Sequence, residues 1–269
     1  MKKIVFILFL YAANDLQAQE LFVYTEPASN MPKHSLGARL SSMLMKVSGG
    51  NRYEYRAVPE LMLGANKNLM LHADLFLSNK EEDLSADGVS FYAKYRLLSN
   101  EQVHSHFRMA AFARLSFNSS NIGQEEIDLY GQNSGYQGGI IATQLLHKTA
   151  LSATAGFAHA MNNGSDNKYP ANQSKDAVSY TFSFGKLLLP KEYISYKQTN
   201  MNLMVELLGQ TLGSNGKSYL DAAPSLQFIV NSQARIDIGY RRQLYSSMYR
   251  HSPNGLQLRL EYLFFNAVH

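Results

Sequence analysis

Apolar and polar residues alternate one for one along most of the chain, which is the pattern of strands with two unlike faces; a 3.6-residue helical period is not the dominant signal. The last segment shows it most clearly. Leu256, Leu258, Leu260, Tyr262 and Phe264 share one face, and Gln257, Arg259 and Glu261 share the other. Upstream, Ile236, Ile238 and Tyr240 oppose Arg235, Asp237 and Arg241, and Leu69, Leu71, Ala73, Leu75 and Leu77 oppose His72, Asp74 and Ser78. Val89, Phe91, Ala93, Tyr95 and Leu97 oppose Ser90, Lys94 and Arg96, and Tyr180, Phe182 and Phe184 oppose Ser179, Thr181 and Ser183. Marking every such run predicts twelve strands, over 35–46, 52–65, 68–78, 88–98, 105–117, 134–146, 149–160, 177–189, 199–211, 218–230, 233–246 and 254–266. An even count suits a barrel whose two ends lie on the same side.

The connections alternate in character. Asn66-Lys67, Ser99 to His104, His147-Lys148, Pro190 to Gln198 and Asn231-Ser232 read as tight or modest turns. Between them lie longer polar stretches, Asn79 to Asp87, Asn118 to Asn133 and Met161 to Asp176, although Val47 to Asn51 and Leu212 to Lys217 are short. Short turns on one rim and longer loops on the other is the outer-membrane pattern, with the long loops outside the cell and both termini periplasmic. Pro59 and Pro224 fall inside expected strands. Proline lacks a ladder donor, so these positions predict either a bulge or a misplaced boundary.

The N-terminus reads as a separate element. Lys2 and Lys3 precede an apolar run from Ile4 to Ala13 and then Leu16-Gln17-Ala18, which predicts a secretory signal peptide over 1–18. The run is too short to span a bilayer as a helix. Residues 19–34 then form an N-terminal periplasmic or plug segment, and 35–269 the barrel. No later stretch is apolar enough for a membrane helix, so the mature chain is either soluble or a spanning barrel. With no cysteine, thiol nucleophiles and cysteine metal sites are excluded. A net charge of +4 is too slight to argue for nucleic acid. Seventeen Tyr and fourteen Phe without Trp suit strands and membrane interfaces.

Alternation alone does not say which face points inward. A soluble eight-stranded barrel buries its apolar face, and a two-sheet sandwich does the same. Twelve strands enclose a space too wide to fill with one layer of Leu and Phe, which favours a polar interior and an apolar exterior facing lipid. The expected fold is therefore all-β, a closed antiparallel transmembrane barrel. Its lumen collects Arg39, Arg56, Lys94, Arg96, Arg108, Arg114, Arg235, Arg241 and Arg259, with Glu54, Glu60, Asp74, Glu206, Asp221, Asp237 and Glu261 opposing them. One reading is an ion-pair network that stiffens and partly fills the barrel. The other is a pore whose slight positive excess favours anions.

No catalytic residue stands out: there is no G-x-S-x-G and no H-E-x-x-H. His72 and Asp74 share a strand face but lack a serine partner, and read as members of the lumen network. His104 and His106 are a weak candidate metal pair. Met43, Met45, Met62, Met70 and Met204, on the expected inward face, read as apolar filling ahead of a copper(I) site. No cofactor is expected. Arg242 falls on the outward face, where a lipid phosphate is a natural partner. The expected partners are outer-membrane lipids and lipopolysaccharide, the barrel-assembly machinery, and a small solute of unknown identity.

The stretches Glu20 to Pro32, His104 to Phe112 and Tyr193 to Met204 resemble a family of small outer-membrane β-barrel proteins from Bacteroidota, and the resemblance covers essentially the whole mature chain. Leu258, Leu260, Tyr262 and Phe264 resemble the C-terminal insertion signal of outer-membrane proteins, here followed by five more residues to His269. More distantly, the chain is similar to barrels described as transporters of hydrophobic or aromatic compounds. The resemblance implies location and fold and brings no substrate. The function expected is a narrow channel or transport protein for small solutes. The alternatives are a non-enzymatic structural or binding barrel with a closed, ion-paired lumen and, third, an outer-membrane enzyme.

Overall fold

The computed structural model describes residues 22–102, 105–192 and 198–268. The expected signal peptide, Gln19 to Leu21 and His104 lie outside the described residues. Twelve strands follow one another: β1 (Leu36–Lys46), β2 (Tyr53–Gly64), β3 (Leu69–Ser78), β4 (Ser85–Gln102), β5 (Ser105–Asn118), β6 (Ser134–Leu146), β7 (Thr149–Met161), β8 (Asp176–Leu189), β9 (Asn200–Leu212), β10 (Ser218–Val230), β11 (Ala234–Ser246) and β12 (Asn254–Phe264). Each pairs antiparallel with its sequence neighbours, and β12 pairs with β1 from Leu36↔Phe264 to Lys46↔Asn254, so the sheet closes into a barrel without an open edge.

The alternation read from the sequence maps onto inside and outside. Along β12, Gln257, Arg259 and Glu261 are buried, while Leu256, Leu258, Leu260, Tyr262 and Phe264 are exposed. β3 behaves in the same way, with His72 and Asp74 buried between exposed Leu71 and Leu75. Large apolar side chains stand on the outside of the strands, and most of the charged ones turn inward. This inverts the soluble barrel and fits a surface solvated by acyl chains.

Both prolines stay in regular register. Pro59 pairs with Leu40 on one side, and the β2–β3 ladder omits Val58 and Pro59 without a shift. Pro224 pairs with Val205, and the β10–β11 ladder omits Ala223 and Pro224. Each ring takes an outward position beside a two-residue gap, so the missing donor is absorbed by one local interruption and no bulge is needed there. The expected turn from Ser99 to His104 is corrected: β4 continues through Gln102, paired with Ser105, after a register shift between Arg96 and Leu98. Inside the β5–β7 wall, the Phe112 ring lies over Gly139 and Gly156. A Cβ on Gly139 would come within 2.9 Å of that ring and overlap the Ala155 carbonyl.

Two segments occupy the interior. Residues 22–34 enter from the rim with the shorter turns, where the His34 amide donates to Gly64 O at 2.7 Å. The 119–133 loop between β5 and β6 folds in from the opposite rim, with Ile127 N and O both bonded to the Gln210 side-chain amide at 2.9 Å.

Candidate functional site

The site is the charged interior, together with the two segments that fill it. Arg39 of β1 sits at its centre. Its guanidinium reaches Glu261 of β12 at 2.7 Å, Glu60 of β2 at 3.0 Å and Glu26 of the N-terminal segment at 3.0 Å. The first two follow from register, because Arg39 is directly paired with both Glu60 and Glu261. Glu60 also accepts from His72 Nδ1 at 2.8 Å and from the Tyr130 hydroxyl at 3.4 Å. Burial first, then Glu60 and Asp74, push the Tyr130 hydroxyl upward, so it stays protonated as a donor. Through Glu60 and Arg39 the inward loop is thus linked to the N-terminal segment.

That segment is held along its length by wall residues. Glu206 accepts the Val23 and Tyr24 amides at 2.9 Å each and the Thr25 hydroxyl at 2.7 Å. Arg259 donates to the carbonyls of Phe22 and Val23 at 2.6 and 2.8 Å, while its Nε pairs with Asp237 at 2.6 Å. Lys94 donates to Pro27 O at 2.8 Å and pairs with Glu26 at 3.3 Å. Arg108 reaches Ser29 Oγ at 2.9 Å, and Thr143 Oγ1 accepts the Ala28 amide at 2.9 Å. Met31 packs with Met62 and Met70, so these thioethers serve as filling between segment and wall.

The loop is anchored by opposite charge. Arg250 pairs with Glu126 and Asp221 at 2.6 Å each, and Arg241 joins Asp221 at 2.6 Å. Arg56 pairs with Glu54 at 2.5 Å and Asp128 at 3.4 Å. Lys217 meets Glu125 at 2.5 Å. Burial holds His251, 3.4 Å from Glu54, below its ordinary value and therefore neutral at pH 7.

The remaining predicted residues fall around this centre. Asp74 pairs with Arg114, whose guanidinium lies 5.0 Å from the centroids of both the Tyr92 and Tyr130 rings. Arg235 pairs with Glu261 at 2.8 Å and Asp237 at 3.3 Å. Arg96 stands apart at the rim, donating to Lys67 O at 2.7 Å. His106 pairs with Glu101, which also binds Arg108. Glu26, Glu126, Asp128, Tyr130 and Arg250 were missed in the sequence because they lie outside the alternating strands. The run Glu125-Glu126-Ile127-Asp128-Leu129-Tyr130, acids interleaved with apolar residues, was the available signal of a loop with something to bury. Adding Glu26, Glu126 and Asp128 to the acidic set and Arg250 to the basic set brings the two signs to parity. The expected excess of positive charge therefore disappears.

No protein-family model and no curated protein sequence matches the chain. Among solved structures, the KdgM porin is similar with a TM-score of 0.53 at 9% identity, covering 86% of this chain and 99% of that one. An outer-membrane channel from Pseudomonas putida F1 is similar with a TM-score of 0.59 at 10% identity, covering 90% of this chain and 100% of that one. At such identities the likeness is one of fold: this chain has the closed antiparallel barrel of those outer-membrane proteins.

Proposed function

We propose that the protein is an outer-membrane channel for small solutes whose lumen is closed at rest by residues 22–34 and the 119–133 loop. The observation that carries the reading is the inverted barrel: an apolar exterior around a charged interior, filled by two segments held through polar contacts. The barrel folds of the KdgM porin and the Pseudomonas putida channel support the same reading. The resemblance to Bacteroidota barrels adds location to it, with the termini in the periplasm, but no solute. Charge parity in the interior argues for a small polar solute without a strong preference for anions.

The second reading is a binding or structural barrel with a permanently closed lumen. It is favoured by the density of ion pairs around Arg39. Planar-bilayer recordings separate the two. The full chain is expected to give a small or intermittent conductance, and deletion of residues 22–33 a larger, steady one. Absence of current from both proteins, with the heat-modifiable fold intact, would leave the second reading.

A further inference from the structure

Almost every cation inside this barrel has an anionic partner, yet Lys46 and Arg242 on its outer wall have none among the described residues. Lys46 ends β1 and Arg242 lies near the end of β11, and both are exposed. No side-chain hydrogen bond or ion pair joins either to another described residue. The register places them in one lateral row. Lys46 pairs with Asn254 of β12, and the β11–β12 register, which runs to Arg241↔Gly255, brings Arg242 opposite the same asparagine. The Gln243 amide donates to Asn254 Oδ1 at 2.7 Å, fixing that crossing. Strands in a sheet are about 4.8 Å apart, so the two backbones are separated by roughly 10 Å.

The surroundings set the depth. Below the row, Leu44, Ile238, Leu256 and Leu258 present an apolar wall. Tyr53 pairs with Lys46, and Tyr240 is 41% exposed one layer beneath Arg242, which is where aromatic rings mark a membrane interface. An outward cation costs several kcal/mol at the midplane and little at the interface, so this level is where a lysine and an arginine are tolerated. The row is on the rim with the long loops.

We infer that Lys46 and Arg242 form a docking site for the phosphate-bearing headgroup of an outer-leaflet glycolipid, whose acyl chains lie on the apolar wall below. A guanidinium and an ammonium supply charge-assisted donors to phosphate, and no acid on this face competes. The inference rests on the membrane-barrel reading but not on transport, so a protein without conductance leaves it intact.

The test uses the full chain in detergent micelles, with diphosphoryl lipid A as the probe and bound lipid read by native mass spectrometry. Wild type is expected to retain the probe, to lose it with rising salt, and to discriminate against dephosphorylated lipid A. The double variant Lys46→Gln/Arg242→Gln is expected to bind about twenty-fivefold more weakly, about fivefold for each cation. Lys46→Arg/Arg242→Lys should restore binding, which keeps the test valid if the glutamine variant folds poorly. Equal retention by the glutamine variant, equal binding of the dephosphorylated lipid, or displacement by inorganic phosphate at equal concentration would overturn the proposal.

Discussion

At Arg39 three carboxylates converge on one guanidinium, from two neighbouring strands and from the N-terminal segment. Removing that one side chain takes a shared cation from Glu26, Glu60 and Glu261, and leaves them to Lys94, His72 and Arg235 respectively. Breaking a buried ion pair from one side costs about 3–5 kcal/mol, because the remaining charge keeps its desolvation penalty without its partner. Arg39→Gln is expected to destabilise the folded barrel by an amount in that range, read as a lower urea midpoint, and to loosen Glu26. Lys94 continues to hold Glu26 at 3.3 Å, so the segment should loosen without full release. An unchanged midpoint would mean that water already screens the cluster.

Among the elements, the 119–133 loop carries a pH dependence that can be signed. Burial raises the Glu125 carboxyl, but hydrogen bonds from Lys217 and the Tyr249 amide outweigh it and hold the group below its ordinary value of 4.5. A carboxylate depressed in the folded state stabilises it above the unfolded value and loses that contribution as pH falls through the folded value. The Glu125 contacts should therefore hold from neutral pH to about pH 4.5 and weaken only in more acidic solution. Channel opening on acidification, recorded in planar bilayers, checks this. Opening between pH 7 and pH 6 would contradict it. A second element-level prediction concerns the β5–β7 wall. Gly139→Val is expected to displace Phe112 and destabilise the barrel by about 2 kcal/mol, the cost typical of overpacking, so that the folded gel band converts to the unfolded one at a lower temperature.

The strands were legible because each must show lipid one face and the lumen the other, which imposes period two on the sequence. The same physics explains what was not legible. Beyond Leu98 the β4–β5 hairpin is polar on both faces, Ser99-Asn100-Glu101-Gln102, so the alternation stops although the ladder continues. Pro59 and Pro224 looked like breaks because the sequence does not reveal that their rings would face outward beside a gap in one ladder. The charges from Arg39 to Glu261 share an inward parity, which the sequence displays. Their partners Glu26, Glu126 and Asp128 belong to segments without parity, and only tertiary folding brings them inside.

Across the whole molecule, the barrel divides its chemistry between two surfaces. Its outer wall is a continuous band of Leu, Ile, Val, Phe and Tyr, and its inner wall holds the ion pairs and both filling segments. Everything proposed for transport and for lipid docking depends on that division. The chain has no cysteine, so single cysteines introduced along β12 can each carry a fluorophore without background. With the protein reconstituted in brominated lipid, labels at Leu256, Leu258, Leu260 and Tyr262 are predicted to be quenched strongly. Labels at Gln257, Arg259 and Glu261 are predicted to be spared, giving a two-residue rhythm. Equal quenching at all seven positions, or none at any, would contradict the account.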